Sequence, residues 1–219
     1  DVCSSDLNIT SYANSTELNK NGARFKYSKF QKIIDDSHES VTSNITKVQI
    51  RRDLRSALNQ FAKYEICYGN AFHIKNIEGY NIKSSGFNVN GVVETVYLGD
   101  LPNSNKKTGT LFLFSNPDLS TPIIKKSNVG TINYEKGEIL LNPINITSTS
   151  KSIGGESIIE ISAIPVSNDV IGKQDLYLQL DINKSILNMK MDDISSGADV
   201  SASLYDVTSS YTNGLRIRK

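Results

Sequence analysis

Tryptophan is absent from the 219 residues, so no indole platform exists on which a sugar or a nucleobase could stack. The ten tyrosines fall on alternating segments rather than on a basic face, which weakens both readings further. Histidine occurs twice, as His38 and His73, and no His-x-x-x-His pair or other recognised metal-ligand spacing is present. No apolar run approaches the ~18–20 residues that span a bilayer. The N-terminus has no basic stretch followed by an apolar one, so it does not read as a secretory signal. The net charge is +1, which leaves no global field to recruit nucleic acid or an anionic membrane. The basic clusters Arg51, Arg52 and Arg55, and 216–219, are too short to alter that. Asn-x-Ser/Thr triplets at Asn8, Asn14, Asn44, Asn145 and Asn183 are expected by chance in a chain this rich in Asn, Ser and Thr.

Only two cysteines occur, Cys3 and Cys67. Residues 1–7 spell a peptide that one frame of a common short-read sequencing adapter encodes. They read as a non-native scar, with the natural chain cut off upstream of about residue 8. On that reading Cys67 stands alone and cannot form an intrachain disulfide, which suits a reducing cytoplasm.

What is present is a polar but foldable chain, 38% hydrophobic and 21% charged, long enough to bury a core. Residues 8–23 are Asn-rich and read as loop or a frayed end. Tyr27, Phe30, Ile33 and Ile34 share a helical face, predicting a short helix over 27–36 with Ser28 as N-cap. The acidic run 35–39 should stop it. A strand is expected over 43–54, and 56–61 suggests a helical turn. Tyr64, Ile66 and Tyr68 alternate onto one face of a further strand.

From there the pattern is strand after strand: 81–89, 92–98, 109–114, 123–126, 157–166, 175–182 and 185–191. Turn clusters punctuate it, among them Asn90-Gly91, Asn116-Pro117-Asp118, Gly154-Gly155 and Asn183-Lys184. Pro165 should end its strand or mark an edge. The clearest hairpin is 129–141, where Gly137 closes the turn after Tyr134, Glu135 and Lys136 in a left-handed conformation. The fold class is mainly β (α+β), an antiparallel β-rich domain with a short N-terminal helix. Buried faces should include Ile66, Val96, Leu98, Leu111, Leu113, Ile132, Ile139, Leu141, Ile159, Ile161, Leu176, Leu178 and Leu180. The boundaries are 1–7 scar, 8–55 helix-strand remnant of a truncated upstream domain, 56–194 β-rich domain, and 195–219 polar C-terminal arm.

The chemistry-bearing residues assemble into no reaction class. His38 within 35–39 reads as a solvated helix end, and His73 as a half-buried strand residue. Cys67 reads as a small buried hydrophobe rather than a nucleophile. Asp192 and Asp193 are adjacent, so in an extended chain they point to opposite faces. Gly154-Gly155 lacks phosphate-loop spacing and no Gly-x-Ser-x-Gly occurs. No catalytic, cofactor-binding or metal-ligating residue is assigned, and the expectation is a protein that is not an enzyme and needs no cofactor.

Several segments, in order, resemble the C-terminal part of the baseplate wedge subunit of T-even-type contractile-tailed phages, a larger relative of the baseplate J-like family. They are 28–35, 41–48, Arg51-Arg52-Asp53-Leu54, 61–66, the hairpin at 130–134 and 136–139, 167–170, and Ser195-Ser196-Gly197. The resemblance spans most of 25–215. It implies a virion structural protein of the tail baseplate, assembled in the host cytoplasm. Its partners would be itself, as a dimer, and other wedge subunits, self-assembling into a ring around the central hub. It implies no contact with nucleic acid or membrane. A reading of another class is a β-rich binding module, such as an adhesin or carbohydrate-binding domain. That reading would call for an aromatic platform or a Ca²⁺-type acidic loop, and neither stands out.

Overall fold

The structure is a computed structural model describing residues 2–74, 80–118, 122–173, 177–190, 209–212 and 215–218. The chain divides into two units, Asp1–Ser185 and Ile186–Lys219. The first opens with helix α1 (Val2–Ala13), strand β1 (Arg24–Phe25) and helix α2 (Tyr27–Asp35). Strands β2 (Ile50–Arg55), β3 (Phe61–Cys67), β4 (Lys83–Ser84), β5 (Phe87–Val89), β6 (Tyr97–Pro102) and β7 (Thr108–Ser115) follow. Then come β8 (Ile123–Asn133), β9 (Glu138–Thr149), β10 (Lys151–Ile153), β11 (Glu156–Ala163), β12 (Val170–Ile171) and a 3-10 turn at Ile182–Lys184. The expected β-rich antiparallel fold is what forms.

The larger sheet runs β3-β9-β8-β7-β6, with β5 on the far part of β9. The smaller has β11 at its centre, flanked by β2 on one side and by β10 and β4 on the other. The strand pairs are antiparallel throughout, so alternation sends one side of the large sheet inward. Inward rows run straight across it: Asp100, Leu111, Gly130, Leu141 and Tyr64 stand opposite one another in turn. Together with Ile159, Ile161 and Ala163 of the small sheet they close one apolar core, against which Ile50 and Leu54 pack. Ten of the thirteen residues expected to be buried lie in it, Ile66 to Ile161. Leu178 and Leu180 are only half-buried, because the described part of that segment, 177–182, makes no strand pairing among the described residues beyond the isolated bridge of Tyr177 to Asn21. Residue 176 lies outside the described residues, as does 191, the last residue of the expected strand 185–191; its described part, 185–190, is not a strand.

Two local expectations fail near the N-terminus. Residues 8–23, read as loop, contain the second half of α1, whose Ile9, Tyr12 and Ala13 are buried. Those positions have helical spacing, and Tyr12 packs against Phe25 and Phe30 with ring centroids 6.4 and 5.9 Å away. Tertiary burial overrides the weak helix propensity of the Asn, Ser and Thr around them. Helix α2 forms where expected and ends at Asp35, but its N-cap residue is Lys26 without a side-chain cap bond. The free Tyr27 N–H is satisfied at long range, donating to Asp169 Oδ1 at 2.8 Å. Further on, the strand expected over 43–54 begins only at Ile50, and 56–61 forms a turn with Asn59 at φ 58°.

The 129–141 hairpin forms in the expected register, Asn133 opposite Glu138, and Gly137 has φ 69°. Its strands are longer than expected, and Pro143 lies inside β9. It is tolerated because the β3–β9 register slips there, from Tyr64 opposite Leu141 to Ala62 opposite Ile144. Pro165 follows the end of β11 as expected, forming an isolated bridge with Phe72.

In the second unit, β13 (Ser209–Thr212) pairs with β14 (Leu215–Arg218), Thr212 opposite Leu215. This pairing lies within 195–219, the expected polar C-terminal arm. Residues 213 and 214 lie outside the described residues; their sequence, Asn-Gly, is the pair favoured in tight hairpin turns.

Candidate interface

The residues weighed for chemistry do not converge. His38 is exposed and its Nδ1 accepts from the Ser40 N–H at 3.1 Å, in a local turn. Its acidic neighbours are engaged elsewhere: Asp36 pairs with Lys32 at 2.8 Å, and Asp35 accepts from Asn44 at 2.6 Å. His73 is exposed and outside any strand, not half-buried on one. Cys67 is exposed as well, since the period of β3 that buries Ile66 and Tyr68 turns Cys67 outward. Its thiol is held above the usual range by desolvation and by the Glu65 and Glu138 carboxylates, so it is a poor thiolate. Asp192 and Asp193 lie outside the described residues. Among the described residues, no three His, Cys, Asp or Glu side chains come together as a metal site, and no helix is long and apolar enough to cross a membrane.

The most organised polar group is one that sequence reading missed. Asp100 is buried in β6, its Oδ1 accepting from the N–H groups of Asn81 and Ile82, both at 2.7 Å, and its Oδ2 from the Tyr134 hydroxyl at 2.6 Å. Burial pushes the Asp100 carboxyl up despite these donors, and pushes the Tyr134 phenol up as well. Asn81 extends the network: its amide donates to the His73 and Ile164 carbonyls at 2.6 and 2.9 Å, and its Oδ1 accepts from the Ile164 N–H at 2.9 Å. Every group points inward, locking β6, the β8–β9 turn and the end of β11 together. Two shallow depressions in the described surface lie away from it, one lined by Tyr97, Ser115 and Asp118, the other by Arg55, Leu58 and Glu156. The sequence signal was an Asp inside an otherwise apolar strand.

The surface offers faces and edges. On the outer side of the large sheet, Leu101, Thr110, Thr131 and Leu140 stand in one cross-strand row, uncharged until it reaches Glu65 on β3. Beside it lies an aromatic group. Tyr80 packs against Phe114 in a tilted arrangement with ring centroids 4.8 Å apart, and Phe114 neighbours Phe112 at 5.8 Å and Tyr97 at 5.9 Å. Gly99 makes room for this group, since a Cβ there would lie 2.7 Å from the Phe112 ring. Leu101, Ile123 and Ile124 are exposed around it.

A second feature is the strap at 167–172, which joins the helical segment to the sheets. Asp169 caps α2 and pairs with Arg24 at 3.2 Å, while Val170 and Ile171 pair with Phe25 and Arg24. On its other side Ile171 exchanges two hydrogen bonds with the Asn70 side chain, both 3.0 Å. A third is the charged surface of the small sheet, where Arg51 reaches Asp53, Glu160 and Asp181, and Lys184 pairs with Glu160.

The first unit is a β-rich scaffold with a buried polar network and several organised surface features. Residues 7–53 match a protein family described as baseplate structural protein gp6, C-terminal domain III. Over that segment the chain is similar to a structural protein of the phage baseplate, and the resemblance read from the sequence is borne out. The matched stretch contains α2, most of α1 and the start of β2. The hairpin and the 167–170 segment lie outside it. No curated protein matches the chain.

Proposed function

We propose that this chain is a structural subunit of a phage tail baseplate wedge, acting through dimerisation and ring assembly around the central hub. The observation that carries the reading is the match of residues 7–53 to a baseplate structural protein. The fold supports it: the buried polar network has a structural role, and the surface includes an uncharged row on the large sheet and, among the described residues, open sheet edges. The partners are a second copy and other wedge proteins, and the location is the tail baseplate of the virion, after assembly in the host cytoplasm. The outer face around Leu101, Thr131 and Leu140 is the surface we assign to wedge partners.

In this reading 8–55 closes a preceding domain, 56–194 is the C-terminal domain, and 195–219 is an arm that gains order on a neighbour. Self-association of the chain alone is expected to be weak. In the longer protein the interface should reach the obligate class of roughly 2,000 Å² or more. Sedimentation of the protein with and without wedge proteins tests this. Co-sedimentation is expected, weakened when 195–219 is deleted while the β core stays folded. A protein that ignores wedge components and binds a glycan instead would favour the adhesin-like reading.

A further inference from the structure

Strand β3 is an edge. Among the described residues it pairs with β9 on one side and with nothing on the other. The Tyr68 N–H donates to the Gly137 carbonyl at 2.8 Å, directly across the β3–β9 ladder. That fixes the alternation: the backbone groups of Tyr64, Ile66 and Tyr68 face β9, and those of Lys63, Glu65 and Cys67 face away from it. The side chains of Phe61, Lys63, Glu65 and Cys67 are all exposed, Phe61 at 71%. A free ladder of this kind is a template for another strand. A lysine on an edge ordinarily guards against such pairing, but here Glu65, two residues along the same edge, supplies the opposite charge.

We infer that the open edge of β3 is a self-complementary docking site for the β3 of a second copy, the two strands running antiparallel about a two-fold axis at Tyr64. The inference rests on the association reading above and gives it a surface. With the axis at Tyr64, Lys63 of each copy stands opposite Glu65 of the other, and Phe61 opposite Cys67. Lys63 and Glu65 are also the residues whose backbone groups face outward, so they can exchange both ladder hydrogen bonds. Moving the axis by one residue sets Lys63 against Lys63 or Glu65 against Glu65, and like charges directly opposite are unfavourable. Charge therefore selects one register out of the neighbouring ones. A two-fold contact of this type is isologous and closes on itself, producing a dimer rather than a fibre. The two large sheets become one continuous sheet across the axis.

The test uses sedimentation equilibrium of the chain and of three variants: Lys63→Glu, Glu65→Lys and the double exchange. All the altered side chains are exposed, so the variants should fold alike, which circular dichroism checks. The expected result is a weak dimer of the parent chain. Each single variant creates two like-charge pairs per dimer and should weaken it by about tenfold at low salt. The double exchange restores opposite pairs and should return the dimer to near-parental strength. Hydrogen exchange should show the Lys63 and Glu65 amides becoming protected as concentration rises. A dimer of equal strength in all four proteins would overturn the edge pairing while leaving association standing. A chain still monomeric at about 1 mM, where even a dissociation constant in the millimolar range would register, would overturn the self-docking altogether.

Discussion

Asp100 illustrates how one residue can be costly and indispensable together. Its carboxylate sits among apolar side chains, yet three donors converge on it. Asp100→Ala leaves two N–H groups and a phenol without an acceptor and should cost about 3 kcal/mol or more. Asp100→Asn keeps the oxygen that serves the two N–H groups and removes the buried charge, so its cost should stay within about 1 kcal/mol. Thermal melts of the two variants separate these cases. The pH dependence has a definite sign. Because the carboxyl is held above its ordinary value in the fold, the folded state binds the proton more tightly than the unfolded one. The Asp100 contribution is greatest below the ordinary Asp value and is lost as pH rises through the folded pKa. The stability difference between the parent and Asp100→Asn should shrink or reverse over that rise.

Gly137 is the second residue whose identity is dictated. It has φ 69°, and a Cβ built on it would lie 2.0 Å from the Asn70 carbonyl oxygen. Strain and collision add, so Gly137→Val should cost about 2 kcal/mol or more, lowering the melting midpoint by several degrees. Gly137→Ala should cost nearly as much, since the Cβ itself collides. The turn conformation was legible in the sequence because its cause is local. The collision was not, because Asn70 is distant in the chain and reaches the turn only through the β3–β9 pairing.

At the scale of elements the same division holds. The β3 alternation, the 129–141 hairpin and α2 were readable because period and turn residues state them directly. The core residues on β6, β7, β9 and β11 followed from the same alternation. What was not readable depended on contacts between distant segments: α1 made by packing on Phe25 and Phe30, and α2 capped by Asp169. The full length of β9 was hidden by Pro143, which only the partner's register slip accommodates. The surface features divide likewise, since the uncharged row on the outer sheet face exists only once three strand registers are known. The cap makes a testable element. Asp169→Ala removes the acceptor of the Tyr27 N–H and the partner of Arg24, so hydrogen exchange at Tyr27 and along α2 should accelerate while the amides of β7 to β9 stay protected. The Asp169 carboxyl is held low by the Tyr27 N–H, with help from Arg24. Its contribution is therefore present above the ordinary Asp value and lost as pH falls through the lower folded pKa, opposite in sign to that of Asp100.

For the whole molecule the question is what the polar C-terminal stretch would do in the proposed assembly. A two-stranded hairpin is marginal by itself, and β13–β14 is two strands of four residues each. Such an element is suited to completing its structure on a neighbour, where interface contacts offset the cost of ordering it. If so, the hairpin rather than the mere presence of the tail should matter. Gly214→Val tests this, because the sequence Asn-Gly favours tight hairpin turns and a β-branched residue in place of the glycine disfavours them. The variant should melt at the parental temperature, since every residue of the described core belongs to the first unit. It should nevertheless bind wedge proteins more weakly, approaching the behaviour of the 195–219 deletion in the same sedimentation experiment. Binding equal to the parent's, with the deletion still impaired, would assign the contact to 195–208 instead of the hairpin. A lowered melting temperature would mean that the second unit supports the first one before any partner arrives.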